Sequence, residues 1–295
     1  MLAGVFAPVP TPFDEREQVD TARLARAFAR WVRTPLTGFV VLGSNGEAAL
    51  LDEDESDRVI AAARAAVPAG RTLIAGTGRE STRATIDATR RAAALGADAV
   101  LVRTPGFFKA QMTSDVFVRH YTAVADASPV PVLLYNFTAV TGVTLMPDAV
   151  ARLARHPNIV GMKESGGDVA RMAELVAAAP PPFTLLAGSS TTFQALLQVG
   201  AAGGVLALSS ILPVACTRLF QLARTHKDDD ARALQEQLVP ISQLVGSKYG
   251  VAGLKAALNL SGYDVGNPRS PLVRASESAC RAIQDALATF EEVAA

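Results

Sequence analysis

Cysteine is nearly missing: Cys216 and Cys280 are the only two in 295 residues, and they lie far from any CxxC spacing. That excludes a disulfide scaffold and fits a reducing compartment, each thiol being expected as a small core residue. An excess of either charge is missing too, since 28 Lys and Arg face 28 Asp and Glu. Without a basic or acidic surplus, neither nucleic acid nor a charged membrane surface is an expected partner. No uncharged apolar run reaches the ~18 residues that a membrane span needs. The opening Met1-Leu2-Ala3-Gly4-Val5-Phe6-Ala7 runs into Pro8, Pro10 and Pro12. It has neither the basic start and long apolar stretch of a secretion signal nor the Arg- and Ser-rich pattern of a transit peptide. A soluble, cytoplasmic protein is expected. The three histidines, His120, His156 and His226, form no HExxH pair and end no strand. No zinc site is expected, and the three are read as helix-surface or loop residues. There is no GxSxG elbow and no phosphate-cradling Walker loop.

What is present is a hydrophobic fraction of 49%, which excludes a disordered chain. Short aliphatic or β-branched runs alternate with Ala- and Arg-rich amphipathic stretches. The runs are Val5–Val9, Phe39–Leu42, Thr72–Ala75, Ala99–Arg103, Val130–Asn136, Ile159–Lys163, Phe183–Ala187 and Gly204–Leu208. Each is apolar on both faces and followed by Gly, Ser, Thr or Pro, as for a parallel strand buried on both sides. The intervening helical patterns, such as Leu24, Phe28 and Trp31, follow N-cap candidates Asp20, Asp52, Ser81 and Ser114. Eight βα units without a change of composition predict an α/β fold, a (β/α)8 TIM barrel, rather than an open doubly wound sheet. From Pro213 the pattern stays helical, with the charged Lys227-Asp228-Asp229-Asp230 read as a solvated helix start. The expected division is residues 1–225 as barrel and 226–295 as a C-terminal helical extension packed on it.

In such a barrel, catalytic groups come from the C-terminal ends of strands. Lys163 closes the apolar run Ile159-Val160-Gly161-Met162. An amine at a packed barrel mouth loses hydration, which disfavours its ammonium form. As a free amine it condenses with a ketone to an iminium, an electron sink for carbon–carbon bond cleavage that needs no metal. The alternative is a snorkelling lysine with its head in solvent. Tyr135 ends strand five, where its hydroxyl would move protons on an intermediate, or it is a core tyrosine with a satisfied hydroxyl. Gly43-Ser44-Asn45-Gly46-Glu47 puts small residues and amide donors on a tight turn entering a helix, suited to a carboxylate, or is a plain βα turn. Its spacing is not a dinucleotide fingerprint. Glu47 is read as a brace of this turn, stabilised as the anion at a helix start.

These residues resemble the class I, Schiff-base-forming aldolases and synthases that include dihydrodipicolinate synthase, N-acetylneuraminate lyase and 4-hydroxy-2-oxoglutarate aldolase. The similarity spans nearly the whole chain. It is strongest at His156-Pro157-Asn158-Ile159-Val160-Gly161-Met162-Lys163-Glu164-Ser165-Gly166-Gly167-Asp168. Gly43–Glu47, the Ser-Gly-Gly-Asp after the lysine, Leu186–Ser189 and Gly203–Val205 look most like the 4-hydroxy-2-oxoglutarate aldolase branch. The resemblance implies Lys163 as the Schiff-base lysine and Tyr135 as the proton-shuttling phenol, working through Ser44. It also implies Ser44 and Asn45 as carboxylate ligands, and Ser165, Gly188 and Leu206 as pocket lining. A homotetramer built as a dimer of dimers, a 2-oxo acid substrate and no metal or organic cofactor are further implications.

Two departures stand out. Val140 occupies the place of the arginine by which dihydrodipicolinate synthases hold the aldehyde's carboxylate, and Phe107 and Phe108 replace a tyrosine that crosses the dimer interface in many members. Arg103, at the end of strand four, offers either a replacement carboxylate contact or an outward salt bridge. The expected reaction is cleavage of 4-hydroxy-2-oxoglutarate to pyruvate and glyoxylate. The alternatives are another 2-oxo acid aldolase or dehydratase acting on a sugar acid, dihydrodipicolinate synthesis, and a 2-oxo-acid-binding homologue without turnover.

Overall fold

The computed structural model describes residues 2–294, with side chains as far as Phe290. Eight parallel strands close into a barrel in sequence order. They are β1 Gly4–Pro8, β2 Gly38–Val41, β3 Thr72–Gly76, β4 Ala99–Arg103, β5 Val132–Asn136, β6 Ile159–Glu164, β7 Thr184–Ala187 and β8 Gly203–Val205. Helices α1 Thr21–Trp31, α2 Glu53–Ala66, α3 Thr82–Ala94, α4 Ser114–Ala127, α5 Thr138–Thr141 and α6 Pro147–Leu153 lie between the first six strands. α7 Val169–Ala178 and α8 Phe193–Gln198 follow β6 and β7. After β8 come α9 Pro213–Arg224, α10 Asp228–Gln243, α11 Gly250–Leu260 and α12 Glu277–Ala294. The expected barrel with a helical extension is what the chain forms. Among the described residues no helix is long and apolar enough to cross a membrane.

Strand alternation sorts the apolar residues into two cores. Phe6, Val40, Ile74, Leu101, Leu133, Leu186 and Val205 fill the barrel interior. Their chain neighbours, among them Val5, Phe39, Val41, Val100, Val102 and Leu134, pack outward against the helices. Burying each large side chain contributes about 1.5–3 kcal/mol, so both faces of every strand stabilise the closed sheet. α1 shows the helical counterpart. Leu24, Phe28 and Trp31 lie on one buried face, and the Asp20 carboxylate caps the start by accepting from the Arg23 amide. Trp31 Nε1 donates to the Ser210 carbonyl at 2.8 Å, and its ring stacks on Tyr263 with centroids 5.0 Å apart. That contact ties the barrel to the segment after α11.

Four expectations are corrected. β8 ends at Val205, not Leu208, because Ser209 Oγ donates to the Phe6 and Leu206 carbonyls and Ser210 Oγ to the Pro8 carbonyl, curling Ala207–Ser210 into a 3-10 turn. The cap of α4 is Thr113, whose hydroxyl accepts from the Val116 amide, while Ser114 donates to Asp148. His120 is no surface residue: it is buried where α3 meets α4, with Nδ1 2.9 Å from Thr82 Oγ1. Burial outweighs the nearby Glu80 carboxylate and pushes its imidazole down to about 4. Of the two free cysteines, Cys216 is buried as expected, but Cys280 is only partly so.

Candidate active site

The ends of β4, β5 and β6 lie level, with Arg103 opposite Tyr135 and Tyr135 opposite Lys163. Lys163 is also opposite Leu186. Tyr135 and Leu186 belong to the interior core, so register alone points the Lys163 side chain into the barrel. It is 4% exposed, and its Nζ lies 4.5 Å from the centroid of the Tyr135 ring. Among the described residues Lys163 makes no ion pair. It is therefore no snorkelling residue, and its amine rests against an aromatic face. On the opposite side of the sheet, Asn136 and Glu164 pair with each other, Asn136 Nδ2 donating to Glu164 Oε2 at 2.8 Å. Burial raises the Glu164 carboxyl above its ordinary range against the pull of the Gly166 amide and Asn136.

The Tyr135 hydroxyl is hydrogen-bonded to Ser44 Oγ at 2.9 Å. Ser44 and Tyr135 both line a cavity of about 580 Å³ that opens over the strand ends. Lys163 is not itself in the lining but rests against the ring of Tyr135, which is. The turn carrying Ser44 differs from its expectation. It does not enter a helix directly but makes two 3-10 turns, Ser44–Gly46 and Ala48–Leu50, before α2 starts behind its own Asp52 cap. A 3-10 start still leaves its first amides, those of Ser44 and Asn45, without partners inside the helix. Glu47 accordingly does not sit at the start of α2, and its brace comes from elsewhere. Its side chain is wholly buried, and Oε1 lies 2.6 Å from Lys255 Nζ.

The remaining expected site residues are placed as follows. Asn45 is half-buried beside Ser44 and is not in the cavity lining. Ser165 and Gly188 touch: a methyl group built on Gly188 would stand 2.0 Å from Ser165 Oγ, so only glycine fits there. That hydroxyl is buried without a hydrogen-bond partner, leaving donor and acceptor capacity free near Lys163. Leu206 is fully buried in the layer between strands and helices, away from the cavity lining.

The cavity rim is charged. Arg79 forks onto the two Glu53 oxygens at 2.8 and 3.0 Å. Arg103 Nη1 donates to Glu80 Oε1 at 2.7 Å, while Glu80 Oε2 accepts from the amides of Gly106 and Phe107. Burial raises the Glu80 carboxyl, but Arg103 and the two amides outweigh it and hold it below the usual carboxylate range. Arg103 makes the expected salt bridge, though facing the cavity rather than outward. Phe107, Phe108 and Val140 are 77%, 63% and 64% exposed at the same rim. Sequence reasoning passed over Arg79, Glu80 and Lys255. For Lys255 a signal existed: it is the sole charged residue in the apolar helix Gly250–Leu260.

Residues 1–290 match the profile of the dihydrodipicolinate synthetase family. The 4-hydroxy-tetrahydrodipicolinate synthase of an Exiguobacterium species is 35% identical over 293 residues, covering 99% of both chains. A protein of Emericella nidulans named "Probable 4-hydroxy-2-oxoglutarate aldolase, mitochondrial" is 37% identical over 300 residues, covering 99% of this chain and 96% of that one. The solved dihydrodipicolinate synthase of Acinetobacter baumannii, complexed with pyruvate, superposes with a TM-score of 0.93 at 30% identity over 98% of each chain. With a closed eight-stranded barrel, a buried lysine at a strand end and similarity along almost its full length, the chain belongs to the dihydrodipicolinate synthetase family and is a carbon–carbon lyase of the Schiff-base class.

Proposed function

We infer that the chain cleaves a 4-hydroxy-2-oxo acid, 4-hydroxy-2-oxoglutarate foremost, to pyruvate and glyoxylate, with Lys163 as the nucleophile. The observation carrying this reading is the buried Lys163 amine, with no carboxylate partner among the described residues, against a tyrosine whose hydroxyl is bonded to Ser44. The amine adds to the C2 carbonyl and water leaves, giving an iminium. Tyr135, with Ser44 relaying, takes the proton of the C4 hydroxyl as the C3–C4 electron pair moves into the iminium. Glyoxylate departs, and the enamine left on Lys163 is protonated at C3 and hydrolysed to pyruvate and free lysine. The substrate's C1 carboxylate lies against the Ser44 and Asn45 amides, which orient the keto carbon and neutralise charge. Ser165, two residues beyond Lys163 in the chain, lies against Gly188 with its Oγ buried and without a partner among the described residues.

Val140 at the rim disfavours the dihydrodipicolinate synthase reaction, which needs a cation for the aldehyde's carboxylate. Arg103, in the cavity lining, is one candidate substitute. The exposed Phe107 and Phe108 pair, ring centroids 5.1 Å apart, suits coverage by a second copy in a homotetramer. Sedimentation equilibrium tests that state, and a monomer at micromolar concentration removes it. The reaction is tested by borohydride reduction with pyruvate followed by peptide mapping. The expected result is an adduct on Lys163, and an adduct on no lysine removes the scheme. Release of glyoxylate from 4-hydroxy-2-oxoglutarate, compared with sugar-acid substrates and with condensation of pyruvate and aspartate semialdehyde, then ranks the substrates.

A further inference from the structure

The Gly43–Glu47 turn has a back as well as a front. Ser44 faces the cavity, whereas Glu47 faces the C-terminal helices. Leu42 and Glu47, which bracket the turn, both have left-handed backbones, φ 57° and 55°. Side-chain-bearing residues persist there only when their surroundings hold them. The surroundings of Glu47 come from the C-terminal part: Lys255 of α11 at 2.6 Å from Oε1, and the Arg269 amide donating to Oε2 at 2.8 Å. Lys255 Nζ also donates to the Asn267 carbonyl at 2.8 Å and lies 4.3 Å from the centroid of the Phe13 ring beyond β1. Arg269 lies over the same ring and forks onto both oxygens of Glu55 in α2 at 2.6 Å each.

We propose that Lys255 is a positioning residue: its buried ion pair with Glu47 latches the turn from behind, so that the C-terminal helices hold Ser44 against Tyr135. This rests on the reading of Tyr135 and Ser44 as the proton relay. A latch of this kind opens when its cation is lost. The charged groups facing Lys255 are Glu47 on the turn and Arg269 on the segment after α11, with Glu55 of α2 behind Arg269. Burial lowers the Lys255 ammonium to about 8, against the raising effect of Glu47. Turnover therefore declines on the alkaline side as the pair is discharged.

The test compares wild type with Lys255→Met and with Glu47→Gln/Lys255→Met. The double variant leaves no bare charge in the interior and keeps an acceptor for the Arg269 amide, so it folds even if the single variant does not. In the double variant, kcat for 4-hydroxy-2-oxoglutarate is expected to fall about 10- to 100-fold with KM little changed. Borohydride still traps pyruvate on Lys163, the alkaline limb near pH 8 disappears, and amide exchange across residues 43–51 speeds up. An unchanged kcat and limb, or unchanged exchange in that turn, overturns the latch. So does a loss of trapping and turnover in the same proportion, which is a merely structural defect. If wild type itself traps no pyruvate, the Schiff-base reading fails, and the exchange measurement alone decides whether the latch exists.

Discussion

Two buried lysines each rest on an aromatic ring, Lys255 on Phe13 and Lys163 on Tyr135, but their polar surroundings differ. Lys255 has a carboxylate at 2.6 Å and a backbone carbonyl at 2.8 Å. Lys163 has, among the described residues, no anion at all. Removing an ammonium from water is costly, and a fold that buries one normally supplies a counter-charge. A lysine so supplied is tied in place and serves structure. One with no anion among the described residues, against a ring whose hydroxyl is bonded to Ser44, has no partner competing with a carbonyl for its amine. The contrast separates a building element from a reactive group without reference to any relative.

The contrast breaks most severely at Lys163. Lys163→Ala is expected to lower turnover at least about 10⁴-fold while leaving the urea midpoint near wild type, as read by glyoxylate release and chemical denaturation. Wild-type activity in that variant would leave the comparison without its reactive half. Tyr135→Phe comes next. It keeps the ring under which the amine lies and removes the hydroxyl bonded to Ser44, so kcat should drop about 10²- to 10⁴-fold with pyruvate trapping retained. Lys255→Met should add to its smaller loss of turnover a loss of about 3–5 kcal/mol in unfolding free energy, because Glu47 is left uncompensated in the interior. A stability loss well under that value would mean that Glu47 finds another partner.

Smaller effects sharpen the comparison through pH. The folded Lys255 releases its proton near 8 rather than 10.5. Between those values the unfolded chain holds a proton that the fold has shed, so this residue's contribution makes stability rise with pH. Turnover moves the opposite way across the same window, a divergence that paired denaturation and rate profiles would show. His120 sets the acid side. Its folded value of about 4 lies below the ordinary 6.5, so the stability it contributes is full above 6.5 and drains away as pH falls toward 4. Urea midpoints between pH 7 and 4.5 should flatten in His120→Gln if the buried imidazole is responsible.

Much of this arrangement was legible in the chain because it is written in neighbouring residues. Eight apolar runs, each two-sided and stopped by Gly, Ser, Thr or Pro, are the strands of a closed barrel, and the positions that end them include Lys163 and Tyr135. The misreadings were local competitions. Thr113 and Ser114 are both good caps, and the backbone chose the earlier one. Gly204–Leu208 looks like a strand to its end, but the hydroxyls of Ser209 and Ser210 reach back to β1 and curl it. His120 sits in a helix with polar neighbours, and only the approach of α3 buries it.

Periodicity and strand-end placement are properties of a few consecutive residues, so the barrel, its candidate nucleophile and the tyrosine beside it were available from the order of amino acids alone. Which charges meet was not. The Lys255–Glu47 pair, the Arg103–Glu80 bridge and the Ser44–Tyr135 hydrogen bond join segments far apart in the chain. Coulombic and hydrogen-bond energies depend on separations of a few ångströms and on exclusion of water, and both exist only once the barrel has closed and the C-terminal helices have packed against it.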